Sequence, residues 1–394
     1  MATSYSPKII TDGLVFMYDT DDGKSYKGEP TTNLITSNGI DFSQMSTYGT
    51  LIRSRVSDSN SPSGYACEME YPNSSLNSAS RIRFGDSTNI PTSGNAFVSI
   101  MAKFEGGPSS NIYPRIYSGS SWQTLAPLDG GLTYLTSEYR RFGVNAYLGT
   151  GSGGPLPAFS MTQSNSNNQA GQKTRWHSPQ VELKSHATPY VDGTRSATQG
   201  LLDRTSTSTI NISNASFDSN AQMTFDGTDD YLAVPHDSSQ SFTGDFSIEA
   251  VIKGESNTAN CIIQKGSGND YYQEYWLLQD MRSSQGRFTL VMGKSGNSSA
   301  NYLNTSNALS QNIYYHVVAT VSGSTSKIFI NGVEAESGSI SNRIQSTSDL
   351  RIGWRVDGFA ATNGGIPIVK LYNKALTAAE VFQNYNATKG RFGL

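Results

Sequence analysis

Tyr315-His316-Val317-Val318-Ala319-Thr320-Val321, a turn at Gly323-Ser324, Lys327-Ile328-Phe329-Ile330, then Asn331-Gly332 and Val333-Glu334-Ala335 together decide the fold of this chain. Apolar runs this short, broken by turn residues, make strands. Asn-Gly between two such runs marks a tight hairpin, because both central turn positions need positive φ. Upstream, Phe246-Ser247-Ile248-Glu249-Ala250-Val251-Ile252 alternates with period two. Phe246, Ile248, Ala250 and Ile252 are read as pointing inward, with Ser247 and Glu249 facing solvent, a pattern of antiparallel sheets with one wet face. Further back, Val98, Ile100, Ala102 and Phe104 share one face of another strand, and Ser80-Arg81-Ile82-Arg83-Phe84 alternates in the same way.

At 394 residues the chain exceeds one ordinary core, so two domains of similar size are expected. Charged residues make up only 15% against 36% hydrophobic, and the sequence is rich in Gly (38), Tyr (21) and Phe (16). That balance suits strands and turns rather than helices. A net charge of −3 leaves no basic excess for phosphates or anionic lipid, which argues against nucleic acid and membrane partners. No run approaches the ~20 apolar residues of a membrane span, and Met1 to Phe16 lacks the apolar core of a secretion signal. The expectation is a protein made and kept in a cytoplasm. Cys67 and Cys261, the two cysteines, fall in different expected domains and are read as small buried apolar residues. The sequons at Asn73-Ser74-Ser75 and Asn304-Thr305-Ser306 are read as chance products of an Asn/Ser/Thr-rich composition.

These features divide the chain into an N-terminal strand and anchoring segment (1–32), a first sandwich (33–200), a Ser/Thr/Asn connector (201–220) and a second sandwich (221–394). Gly149 to Pro157 reads as a loop. One helix is expected near the end. Thr377 and Glu380 form a capping box, and the helix runs from Ala378 to about Ala387 with an apolar stripe of Val381, Phe382 and Tyr385, lying as a short lid on the sandwich. The fold class is therefore all-β: two tandem β-sandwich, jelly-roll domains, with a short C-terminal helix on the second.

From Phe225-Asp226-Gly227-Thr228-Asp229-Asp230-Tyr231-Leu232 through the Asn331-Gly332 hairpin to Ile366-Pro367-Ile368-Val369-Lys370-Leu371-Tyr372-Asn373 and the capped helix, the second domain resembles laminin G-like, concanavalin A-like jelly rolls. The ending Phe382 to Phe392, with Gly13-Leu14-Val15-Phe16-Met17-Tyr18-Asp19 and Pro30-Thr31-Thr32-Asn33-Leu34-Ile35, is similar to virion structural proteins of tailed bacteriophages, those of cyanobacteria in particular. Trp176 to Glu182 and Ala187 to Arg195 resemble the last strands of galactose-binding-like, carbohydrate-binding-module-like sandwiches in such proteins. The resemblance implies assembly in a host cytoplasm and a place in the virion.

Catalytic chemistry finds little support. Glycoside hydrolysis needs two carboxylates facing across a cleft, and the Glu-x-Asp-x-Glu run of hydrolase relatives is missing. Glu334 and Glu336 have the spacing but read as solvated residues of an edge strand. The four histidines, His177, His186, His236 and His316, show no metal-ligand spacing. Asp19, Asp21 and Asp22 before Gly23 read as a polar turn rather than a calcium loop, since no Glu stands at position 12. No cofactor is required. Calcium enters through the resemblance, with Asp226 and Asp357 as ligands. For glycan binding, aromatic faces and a few polar groups are needed. Asp270, Tyr271 and Tyr272 in Asn269 to Trp276, and Trp354 in Trp354-Arg355-Val356-Asp357, are the candidates, against the alternative that Tyr272, Trp276 and Trp354 are core or interface aromatics. The sequence reading is thus a non-enzymatic virion component (capsid decoration, fibre or tail appendage) that forms homo-oligomers and has other virion proteins as partners. A glycan-binding adhesin for host-surface polysaccharide comes second, and a polysaccharide depolymerase third.

Overall fold

A computed structural model describes residues 8–49, 51–72, 80–85, 89–107, 112–118, 121–149, 157–163, 171–218, 222–282, 286–296, 299–306 and 308–394. The sequon at Asn73 and most of the Gly149 to Pro157 loop lie outside them. The chain is mostly β, as its alternation dictates. It divides into two compact units, one drawn from Met1–Pro30, Ser196–Asp218 and Gln222–Leu394, the other from Thr31–Arg195.

In the Thr31–Arg195 unit, one sheet runs in the order Ala126–Pro127, Arg140–Leu148, Gly94–Gly106, Lys173–Glu182, Tyr65–Glu70, Ile52–Ser57. A second runs Met45–Tyr48, Arg81–Phe84, Ala158–Gln163, Ile112–Tyr117, Trp122–Thr124. Val98, Ile100, Ala102, Ile82 and Phe84 meet Phe142, Phe159 and Trp176 in a buried core, with Phe104 at its margin. Thr31–Thr32 pairs antiparallel with Thr194–Arg195, so the two ends of this stretch are zipped together.

The other unit also has two sheets. The first has the order Ser216–Phe217, Met223–Asp226, Asn363–Tyr372, Phe246–Gly254, Tyr314–Ser322, Thr325–Ile330, Val333–Ser339. The second has the order Asn211–Ser213, Tyr231–Val234, Leu350–Gly353, Ala259–Gly266, Gln273–Asp280, Arg287–Gly293, Ala300–Asn304. Phe246, Ile248, Ala250 and Ile252 lie in the core as their alternation predicts, with Tyr275, Leu277, Leu290 and Leu371. The hairpin falls at Asn331 and Gly332, both at positive φ (50° and 81°). Leu14–Asp19, expected in a separate anchoring segment, adds to this unit's first sheet, with Tyr18 opposite Val369 and Asp19 opposite Ile368. The acidic turn after it is neutralised within the unit: Asp19 takes both guanidinium nitrogens of Arg391 at 2.6 Å, and Asp22 pairs with Arg204.

The helix spans Ala378–Phe392, longer than expected, and ends at Gly393 in the left-handed region with Lys389 and Arg391 in its last turn. Its capping box is present. The buried face is Val381, Asn384 and Thr388, while Phe382 is half exposed. This helix corrects one expectation. Glu249 and Ser247, both read as solvent-facing, are fully buried. Ser247 Oγ donates to Lys374 O and accepts from Leu376 N, at the entry to the helix. Glu249 Oε1 accepts from Lys370 Nζ at 2.6 Å and lies 3.1 Å from His316 Nε2, and its Oε2 accepts from Asn384 Nδ2 at 2.6 Å. Period two places Glu249 on the outer face correctly, but that face is roofed by the helix rather than by water. Burial alone would raise the Glu249 carboxyl; Lys370 and His316 override it and hold the group down at about 2.

Candidate functional site

The site grows from the outer face of the second sheet. Trp276 stands opposite Val291 and Val291 opposite Tyr302, so three neighbouring strands put these side chains in one row on the face away from Tyr275, Leu277 and Leu290. Trp276, Val291, Cys261, Leu278 and Ala360 form a small apolar cluster there. Ala360 comes from the loop that follows Leu350–Gly353, closed by a hydrogen bond from Arg355 N to Ala360 O at 2.8 Å.

That loop lays the Arg355 side chain on the cluster. Its guanidinium carbon is 4.4 Å from the Trp276 ring centre and 4.9 Å from that of Phe359. Only 3% of Arg355 is exposed, so its charge must be matched locally. Nη1 donates to Asp270 Oδ1 at 2.7 Å, and Nη2 donates to Asp357 Oδ2 at 2.9 Å and to the Gly268 carbonyl at 3.1 Å. Asp270 belongs to a single 3-10 turn, Asp270–Tyr272, started by Asn269, whose side chain accepts from Tyr271 N. Tyr302 OH donates to Asp270 Oδ2 at 2.7 Å. Burial first, and then this contact with the carboxylate, push the Tyr302 phenol above its ordinary value, so it stays a donor at neutral pH.

The result is a cleft of about 320 Å³ lined by Asn269, Asp270, Tyr271, Tyr302, Arg355, Asp357 and Phe359. Tyr271, Tyr302 and Phe359 remain 37%, 51% and 53% exposed. Exposed rings around fixed carboxylates offer an apolar face and hydrogen-bond acceptors side by side, the pairing that a sugar ring requires.

Of the candidates read from sequence, Asp270, Tyr271 and Asp357 converge here. Tyr272 faces a neighbouring cleft with Ser267, Ser346 and Ile344, since adjacent residues of a tight turn diverge. Trp354 packs against Tyr231 at 5.4 Å under the Arg351 guanidinium and takes no part in the cleft. Asp226 gathers with Asp229 and Asp230 instead of Asp357; their carboxylates lie within 4.8 Å. All three are partly spent, Asp230 on the backbone N–H groups of Ser216 and Asp226, Asp226 on that of Thr228, and Asp229 on the Asn214 side-chain amide at 3.3 Å. Tyr302, Phe359 and Arg355 are additions the sequence reading had not singled out. Tyr302, an aromatic at an outward position of a polar strand, was the available signal.

Glu334 and Glu336 lie on the edge strand Val333–Ser339, where a register shift opposite Ile328 and Phe329 breaks their common alternation, and Glu334 pairs with Lys327. A separate cleft of about 270 Å³ near Arg391 and Phe392 carries the Arg391–Asp21 and Lys253–Glu255 ion pairs, so these charges are answered internally. Among the described residues, no helix is long and apolar enough to cross a membrane.

Residues 226–382 match the concanavalin A-like lectin/glucanases superfamily, and this stretch is a jelly-roll domain of that kind. No curated protein matches the chain. Among solved structures, the chain is similar to the ligand binding domain of botulinum neurotoxin serotype D in complex with N-acetylneuraminic acid, at 15% identity over 48% of this chain and 49% of that one, with a TM-score of 0.39. The botulinum neurotoxin type G receptor binding domain gives 20% identity over 48% and 49%, with a TM-score of 0.36. A heptameric SAP-like pentraxin from Limulus polyphemus gives 17% over 40% and 78%, with a TM-score of 0.31. The chain spans about half the length of the neurotoxin domains it matches.

Proposed function

We propose that this protein is a non-catalytic glycan-binding module whose ligand sits in the cleft between the 270–272 turn and the 354–360 loop. The observation that carries this reading is the convergence of three exposed rings, Tyr271, Tyr302 and Phe359, on two carboxylates fixed by one buried arginine. Both carboxylates are engaged as acceptors from Arg355, and Asp270 also accepts from Tyr302, an arrangement for holding hydroxyls rather than for delivering a proton. The match of residues 226–382 to a superfamily of lectins and glucanases supports a saccharide ligand. The test is a glycan array probed with the full chain, with Tyr302→Ala and with Phe359→Ala. Binding by the parent that both variants lose is the expected result. Release of reducing ends from a bound polysaccharide would replace this reading with the depolymerase.

We further propose that the module serves in a tailed-phage virion, as a decoration, fibre or tail-appendage component that assembles in the host cytoplasm as a homo-oligomer and docks on other virion proteins. The likeness of residues 13–19, 30–35 and 382–392 to such proteins supports this, as does an uncharged Tyr, Asn and Ser-rich composition suited to wet polar interfaces. Many copies on a particle would multiply the weak affinity of a shallow cleft for host-surface polysaccharide. Light scattering of the purified chain checks this part: a stable trimer or larger ring is expected, and a monomer would count against it.

A further inference from the structure

The calcium expectation at Asp357 meets an obstacle in the cleft. Hard cations of this kind gather six to eight oxygens at roughly 2.3–2.6 Å. Here the position between Asp270 and Asp357 is filled by a guanidinium, 2.7 Å from one carboxylate and 2.9 Å from the other. Arg355 is also tied to the Gly268 carbonyl and lies against Trp276 and Phe359, so a metal would have to evict a side chain that is 97% buried. The residues do not fit a calcium ion. We infer that Arg355 is the resident counter-ion of this cleft in place of a metal, and that the cleft takes uncharged saccharides without calcium.

The second half follows from charge. Asp270 and Asp357 face one guanidinium, which leaves the cleft with one negative charge in excess. Arg282, whose guanidinium lies 4.7 Å from the Phe359 ring centre, is bonded to Asp280 at 2.9 and 3.1 Å and shares that acid with Arg287 at 3.6 Å, and none of these three groups lines the cleft, whose charged lining is Asp270, Arg355 and Asp357. A ligand carboxylate or sulfate entering here meets like charge, whereas sugar hydroxyls meet acceptors. The exposed rings take the C–H face of a pyranose whether or not the sugar is charged, so the selection against acids comes from the two aspartates.

This inference rests on the glycan-binding reading of the cleft, and the test separates the two. The full chain is titrated by calorimetry with neutral, uronic-acid-bearing and sialic-acid-bearing oligosaccharides chosen from the array, each in calcium chloride and in EDTA. Neutral sugars should change affinity by less than about twofold between the two buffers, and acidic analogues should bind about tenfold or more weakly than neutral ones. In Asp357→Asn, which removes the excess charge, that gap should shrink to about threefold or less. Binding abolished by EDTA, a preference for acidic sugars that Tyr302→Ala removes, or a gap unchanged in Asp357→Asn overturns the inference while leaving the cleft a glycan site. An array with no binding at all overturns both.

Discussion

Lys370→Met is the sharpest perturbation of this fold. Glu249, Lys370 and His316 are each fully buried, and Lys370 Nζ is the closest cation to the Glu249 carboxylate at 2.6 Å. Removing one partner of such a pair leaves an uncompensated charge and costs about 3–5 kcal/mol, whereas replacing the pair by apolar residues of similar volume is near neutral. Lys370→Met should therefore lose about 3–5 kcal/mol, and Glu249→Leu/Lys370→Met should recover most of it. The pH arm has a definite sign. Glu249 is held at about 2 in the folded unit against an ordinary value of 4.5, so its stabilisation is complete above pH 4.5 and disappears as pH falls toward 2. That depression is worth about 3 kcal/mol. The assay is urea unfolding followed by tryptophan fluorescence in a Trp122→Phe/Trp176→Phe background, which leaves Trp276 and Trp354 to report the unit that carries the network. The difference between parent and Glu249→Gln across pH 2 to 4.5 isolates this carboxylate. A cost below about 1 kcal/mol for Lys370→Met, or a flat difference curve, would refute the claim that the buried ion pair holds the helix-covered face together.

Other consequences can be checked directly. A methyl group at Gly293 would fall on the carbonyl of Tyr271, so Gly293→Ala should displace the turn carrying Asp270 and abolish array binding, while far-UV circular dichroism keeps its β signal. Thr377→Ala breaks the capping box and should destabilise the terminal helix by about 1 kcal/mol, read as faster amide exchange in Ala378–Phe392. Burial pushes the Cys261 thiol up to about 12 and Cys67 further still, so neither should react with Ellman's reagent at pH 8 until the unit that holds it unfolds.

Alternation placed Phe246, Ile248, Ala250 and Ile252 in the core because period two is a local property of the strand. It could not say what covers the other face. Glu249, His316 and Lys370 all lie outward on neighbouring strands, and it takes the helix more than a hundred residues after Glu249, with Ile10 and Leu376 beside it, to make that face interior. The site divides in the same way. Asp270 and Tyr271 were legible because an acid and an aromatic adjoin in sequence. Tyr302 and Arg355 were not, since each reaches Asp270 through cross-strand register and loop closure, which no local pattern encodes. Tyr272 and Trp354 satisfied the same composition rule but point elsewhere.

The strand Leu14–Asp19 pairs with Asn363–Tyr372, and the Thr31–Arg195 unit lies between them in sequence. During vectorial synthesis the inserted unit emerges whole and can fold on the ribosome, whereas the first strand must wait for Asn363–Tyr372 before it finds its neighbour. Closing so long a loop is slow, which leaves Leu14–Asp19 as an unpaired edge until Asn363–Tyr372 has emerged. A nascent chain stalled before Asn363 should therefore protect the inserted unit from protease and leave the first strand open to it.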